Sequence, residues 1–140
     1  MRSPIRHLPF ALGASLLMAS CASYHVRKGD EALNLLAYTK AEKHYDKALA
    51  HRKDRDLLLH AAEASRKLNE PEKAAARYQA ADSIAPLTGN DAFEYGRMLA
   101  SMGRYGPAQA MFIRVLNDQP ENHVALDLLG ACQGYRSFYA

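Results

Sequence analysis

Only two cysteines occur among the 140 residues, and valine, isoleucine and threonine together number eight. Two cysteines are too few for a disulfide scaffold. Strands draw on β-branched and aromatic residues that suit a pleated surface, so their scarcity argues against a sheet-based domain. An excess of one charge is missing too. Eighteen basic residues stand against fifteen acidic ones, for a net charge of +3. That is not the concentrated positive field that grips nucleic acid. What is plentiful is alanine, with 25 residues. Alanine is the best helix former. An alanine-rich, all-helical protein is therefore expected, and the length suits one domain.

No apolar run is long enough to cross a bilayer. The stretch from Leu8 to Ala19 has 12 residues, against roughly 20 for a spanning helix. Arg2 and Arg6 precede it and small residues close it, which is the layout of a secretory signal peptide over residues 1–20. Its last residues, Met18-Ala19-Ser20-Cys21, resemble a bacterial lipobox. The resemblance implies cleavage before Cys21 and acylation of its sulfur, with residues 21–25 as a lipidated tether. Two or more acyl chains hold a protein firmly on a membrane. Ala22, in place of an aspartate, implies the outer membrane, and the lack of an acidic run after Cys21 implies its periplasmic face. With Arg2 and Arg6 removed, sixteen basic residues face fifteen acidic ones.

Beyond the tether the sequence repeats itself. Three trios, Ala41–Tyr45–Ala48, Ala74–Tyr78–Ala81 and Ala108–Phe112–Val115, share offsets of four and three. Those offsets put each trio on one helix face. The leading alanines recur at a nearly constant interval. Twelve positions before each stands a small residue: Gly29, Ala62 and Gly96. A small residue there lets a partner helix approach while the aromatic fills the space alongside. Gly130 takes the matching place in a fourth leading helix beginning near His123. Pro86 and Pro120 stop second helices. Pro71 and Pro107 suit a first helical turn, and Gly103 sits where a first helix should end. Thr39 with Glu42, and Asn69 with Glu72, have capping-box spacing. Lys28-Gly29-Asp30 is expected to interrupt the first leading helix.

This pattern resembles the tetratricopeptide-repeat (TPR) family, whose helix pairs recur about every 34 residues. The resemblance covers roughly residues 26 to 136. It implies an all-α fold, a right-handed superhelix of antiparallel helix pairs with about three and a half repeats. The domain is expected over 26–140, with repeats at about 26–54, 55–88 and 89–122 and a half repeat at 123–140. The last residues include Tyr135, Phe138 and Tyr139, and the second helix of that last pair is not present. An uncovered aromatic end would expose apolar surface, so a docking partner or a longer protein is expected. The layout also resembles the N-terminal module of large outer-membrane lipoproteins associated with type IX secretion, which continue into a peptidoglycan-binding domain.

No catalytic constellation emerges. His44 and His51 are seven apart on one helix, and His60 and Glu63 three apart on another. Tetrahedral zinc wants three or four protein ligands, and no further ligands converge, so neither a metal nor a cofactor is expected. Cys132 reads as a buried structural thiol. Function then falls to the surface. In a TPR superhelix the leading helices line a concave face that takes a peptide or partner helix. The residues expected to line it are Leu59, Glu63, Arg66 and Lys67, then Phe93, Arg97 and Ser101, then Asp127 and Ala131, with Val26, Asp30 and Leu33 in the first repeat. One subfamily clamps a C-terminal carboxylate with a lysine and an asparagine on its first leading helix. Val26 and Asp30 hold those places here, so that specificity is not expected. The expected role is a non-enzymatic, membrane-anchored interaction scaffold in an envelope or secretion assembly, with a protein or peptide partner and no nucleic acid. The alternative is a pilot or assembly factor for an outer-membrane secretin or β-barrel.

Overall fold

Seven helices in chain order make up the described part of the protein: α1 (Ala11–Asn34), α2 (Tyr38–Leu49), α3 (Arg55–Lys67), α4 (Pro71–Ile84), α5 (Gly89–Ser101), α6 (Tyr105–Asp118) and α7 (His123–Phe138). This computed structural model describes the backbone of residues 11–138 and the side chains of residues 21–135. Residues 1–10 of the expected signal peptide, and the side chains of Phe138 and Tyr139, lie outside the described residues. The helices pack as consecutive pairs, α1 on α2, α3 on α4 and α5 on α6, and α7 lies against α6. The all-α architecture of stacked pairs is the one expected.

Each pair turns on the same hinge. Leu36, Asn69 and Gly103 all have positive φ, at 57°, 59° and 72°. They recur at the same interval as the core alanines. In each turn the next amide reaches back five positions: Ala37 to Ala32 O at 2.9 Å, Glu70 to Ser65 O at 3.0 Å, and Arg104 to Leu99 O at 2.8 Å. The left-handed residue itself bonds back three, Leu36 to Leu33 O, Asn69 to Arg66 O and Gly103 to Ala100 O. This is the Schellman closure of a helix C-terminus. It displaces both expected capping boxes. The N-cap of α2 is Ala37 and that of α4 is Glu70, and neither has a side-chain cap bond. Thr39 lies inside α2, and Asn69 is needed in the turn. Side-chain caps occur at the start of α3 and α7, where Asp54 Oδ1 accepts from Leu57 N at 3.0 Å and Asn122 Oδ1 from Ala125 N at 3.0 Å, while Thr88 before α5 makes none. Pro71 occupies the start of α4 as expected, and α4 and α6 end two positions before Pro86 and Pro120.

The repeating trios form the core. Ala41, Tyr45, Ala48, Ala74, Tyr78, Ala81, Ala108, Phe112 and Val115 are all buried. The first leading helix is not interrupted at Lys28-Gly29-Asp30, because α1 runs through it to Asn34. Gly29 is there for room: a Cβ on it would lie 2.5 Å from the Tyr45 ring. Residues 21–25, expected as a tether, continue the same helix, with Ala22 buried and Cys21 exposed.

Apolar packing falls into two clusters, one around Tyr45 and Leu57, the other running from Leu58 to Cys132. A polar joint lies at their seam. Arg77 on α4 donates to Glu42 of α2 at 3.1 Å, to the Ala61 carbonyl at 2.7 Å, and to Ser65 and Asp46. Ser65 in turn donates to Glu42 at 2.6 Å. Lys73 reaches Glu42 at 3.0 Å and Asp46 at 3.2 Å. The Arg77 side chain is only 8% exposed, so its charge requires these partners. Burial pushes the Glu42 carboxyl up. Hydrogen bonds from Ser65 and Lys73 and the charges of Lys73 and Arg77 outweigh it and hold Glu42 below the usual carboxylate range.

Candidate interaction groove

Two adjoining pockets lie between α3 and α5, with Pro71 and Tyr78 of α4 also lining them. One, of about 210 Å³, is lined by Arg66, Asn69 and Pro71 on one side and Glu94, Arg97, Met98 and Ser101 on the other. The second, of about 90 Å³, is lined by Leu59, His60, Glu63, Arg66 and Tyr78 with Asn90, Asp91 and Glu94. Their positions follow from the helix period, since small residues at Ala62 and Gly96 turn inward and their neighbours turn to the groove.

Glu94 joins the two pockets. Its carboxylate receives Arg66 Nη1 at 3.3 Å and Arg97 Nη1 at 3.5 Å. Arg97 is 55% exposed and lies over the Phe93 ring at 5.8 Å, so it keeps donors facing water. Arg66 Nε is buried without a partner among the described residues. Tyr78, stacked on Tyr95 at 5.4 Å, has its hydroxyl pushed up to about 12 by burial, with Arg66 acting the other way. It is a neutral phenol at any physiological pH. The groove thus sets two arginines among three carboxylates, Glu63, Asp91 and Glu94, over a partly apolar floor. Such a surface suits an extended segment of mixed charge.

Of the residues singled out from the sequence, Leu59, Glu63, Arg66, Arg97 and Ser101 come together here. Phe93 packs edge-on against Phe112 at 6.2 Å. It lines a different cavity, of about 320 Å³, with Val115, Gln119, Asn122 and Val124. Lys67, Asp127 and Ala131 are exposed and lie outside the two pockets. In the first repeat, Val26 and Leu33 pack partly on the Tyr45 cluster. Asp30 accepts from the Tyr45 hydroxyl at 2.8 Å and lies 3.1 Å from His60 Nδ1. Burial and then the Asp30 carboxylate push the Tyr45 hydroxyl above its ordinary range. Sequence reasoning misses Glu94, Asn90 and Asp91. A carboxylate two positions before Gly96 carries no signal until α3 and α5 are set side by side.

The histidines pair differently from their spacing. His44 faces His25 across α1 and α2, with Nδ1 atoms 3.1 Å apart. Among the described residues no group of three metal-ligating side chains forms. Cys132 is buried, which pushes its thiol up.

No protein-family model and no curated protein sequence matches this chain. Solved structures do. The TPR protein YrrB, described as having an unusual peptide-binding site, superposes with a TM-score of 0.77 and 23% identity over 85% of this chain. The chain spans 62% of the YrrB structure's length. The TPR domain of Arabidopsis OM64 gives 0.68 and 21%, covering 84% of this chain and 98% of that domain. The first TPR of Spaghetti, bound to the HSP90 peptide SRMEEVD, gives 0.70 and 18%, covering 84% and 94%. At such low identity these are likenesses of architecture, and the architecture of this chain is that of a tetratricopeptide-repeat solenoid.

Proposed function

We propose that this protein is a non-enzymatic scaffold, held on the periplasmic face of an outer membrane by lipid at Cys21, that captures an extended segment of a partner protein between α3 and α5. The observation that carries the reading is Glu94, shared between Arg66 and Arg97 where the two pockets meet. Arg97 is the exposed end of a 3.5 Å pair, which is individually weak, so a partner carboxylate can take over Arg97 at little cost while apolar side chains enter beside Leu59. Two solved TPR structures of like fold carry a peptide or a peptide-binding site in their descriptions, which favours a peptide as the partner. The place of the carboxylate clamp holds Val26 and Asp30, and Asp30 is already bonded to Tyr45 and His60, so a C-terminal carboxylate is not the expected handle. Anchoring raises the local concentration of the scaffold, so modest affinity suffices.

The test is in-cell photocrosslinking from position 63 or 101, with partners identified by mass spectrometry. Arg97→Glu and Leu59→Asp are expected to remove the same crosslinks. Crosslinks that persist in both variants would place partner binding elsewhere. The anchor is tested separately by labelled palmitate, which Cys21→Ser should no longer incorporate.

A further inference from the structure

The near-neutral charge of the chain conceals a local separation. On α2, Lys40, Lys43 and Lys47 recur at offsets of three and four and so share one helix face. All three are exposed, as is Lys53 in the turn after α2. None of the four takes part in a salt bridge among the described residues, whereas the acidic residues of α2 do. Glu42 turns inward and Asp46 lies on the flank beside it, where Arg77 and Lys73 hold them. The strip of α2 that carries Lys40, Lys43 and Lys47 holds no carboxylate of α2, although Glu31 of α1 feels Lys40 and the half-exposed Asp54 and exposed Asp56 follow Lys53. His44 lies at the edge of this strip. Burial, then His25, Lys47, Lys40 and Lys28, lower its pKa.

The face has a defined place. α1 and α2 are antiparallel, and the His25–His44 contact sets their register. Stepping from His25 back to Cys21 and from His44 on to Lys53 therefore goes the same way. Lys47 and Lys53 share an end of the solenoid with the exposed Cys21.

We propose that the lysine face of α2 and the following turn dock on the anionic headgroup surface of a phospholipid bilayer. The patch would then fix how the solenoid stands on its membrane, so that the groove between α3 and α5 has a set orientation. Choosing a membrane over an acidic protein rests on reading Cys21 as a lipid anchor. A lipid chain combined with a polybasic patch is a known physical route to stable attachment, and each lysine near an anionic surface contributes about fivefold in partitioning.

The experiment is sedimentation of the full chain carrying Cys21→Ser with two vesicles, pure phosphatidylcholine and a mixture with roughly one-third phosphatidylglycerol. The apolar N-terminal stretch enters both, so the difference between them reads charge. The Lys47→Glu/Lys53→Glu variant is expected to lose about tenfold or more of the binding specific to the anionic vesicle. Lys67→Glu/Arg104→Glu makes the same change in net charge at the other end of the helix pairs and should leave most of it. Equal binding to both vesicles by the parent chain would overturn the proposal, and would leave an acidic protein as the candidate for this face. Equal losses in the two variants would overturn it as well, because net charge alone would then account for binding. Palmitate labelling is independent of these outcomes, so failure of the anchor and failure of the docking face are told apart.

Discussion

Leu36 is the one large apolar residue among the three left-handed turn residues, and replacing it with glycine should make the protein more stable. A non-glycine residue in the left-handed region costs about 1–2 kcal/mol. Glycine removes that cost but has more freedom to lose on folding, roughly 0.5–1 kcal/mol. The Leu36 side chain is 69% exposed, so truncating it forfeits little buried area. The net expectation for Leu36→Gly is a gain of about 0.5–1 kcal/mol, or about 2–4 °C in Tm for a domain of this size. Gly103→Leu tests the same physics in reverse. At Gly103, φ is 72° and a Cβ would meet nothing within 4 Å, so the penalty comes from the backbone alone, and a loss of similar size is expected. The double variant should melt close to the parent. The assay is thermal unfolding of each chain by circular dichroism. A lower Tm for Leu36→Gly would refute the reasoning, because it would mean that the leucine side chain contributes more than its backbone costs.

Two further tests probe the packing and the polar joint. Gly29→Ala sets a methyl 2.5 Å from the buried Tyr45 ring. It should destabilise by about 1–2 kcal/mol after the gain in helix propensity, whereas Gly130→Ala, with nothing within 4 Å, should raise Tm slightly. Arg77→Ala leaves Glu42 with Lys73 and Ser65 only and should cost about 3 kcal/mol, measured by urea denaturation. Because the folded pKa of Glu42 is depressed, the joint is at full strength above the unfolded carboxylate value of about 4.3 and weakens as the pH falls below it. Glu42→Gln should therefore flatten the acid limb of the stability–pH curve, and an unchanged limb would show that other carboxylates govern it.

The spacing of Ala41, Ala74 and Ala108 with their aromatics is enough to read stacked helix pairs, because a buried helix face imposes a period that local sequence must obey. The same argument finds the small residues that admit the aromatics, Gly29 opposite Tyr45 and Gly96 against Phe112. Local rules fail where two of them compete for one residue. Asn69 and Glu72 have the spacing of a capping box, yet Asn69 is used for the left-handed turn. Glu42 has the spacing to answer Thr39, yet a buried arginine holds it instead. Lys28-Gly29-Asp30 reads as a break, yet packing on Tyr45 carries the helix through it.

Composition and periodicity by themselves determined the fold and the faces that must be buried. The resemblance to the TPR family, not composition or periodicity, marked the leading helices as the ones that border a groove. The tertiary structure decided which side chains meet across it. Glu94 became the link between Arg66 and Arg97, Phe93 turned to the next cavity, and His44 found His25 rather than His51. It also separated the charges of α2, pairing the buried Glu42 and its neighbour Asp46 with Arg77 and Lys73 and leaving the lysines outside. Net charge cannot report that separation, since it depends on which face of a helix each residue occupies and on what a distant part of the chain brings against it. Periodicity is local and survives in the sequence, whereas ion pairing between helices is a property of their register.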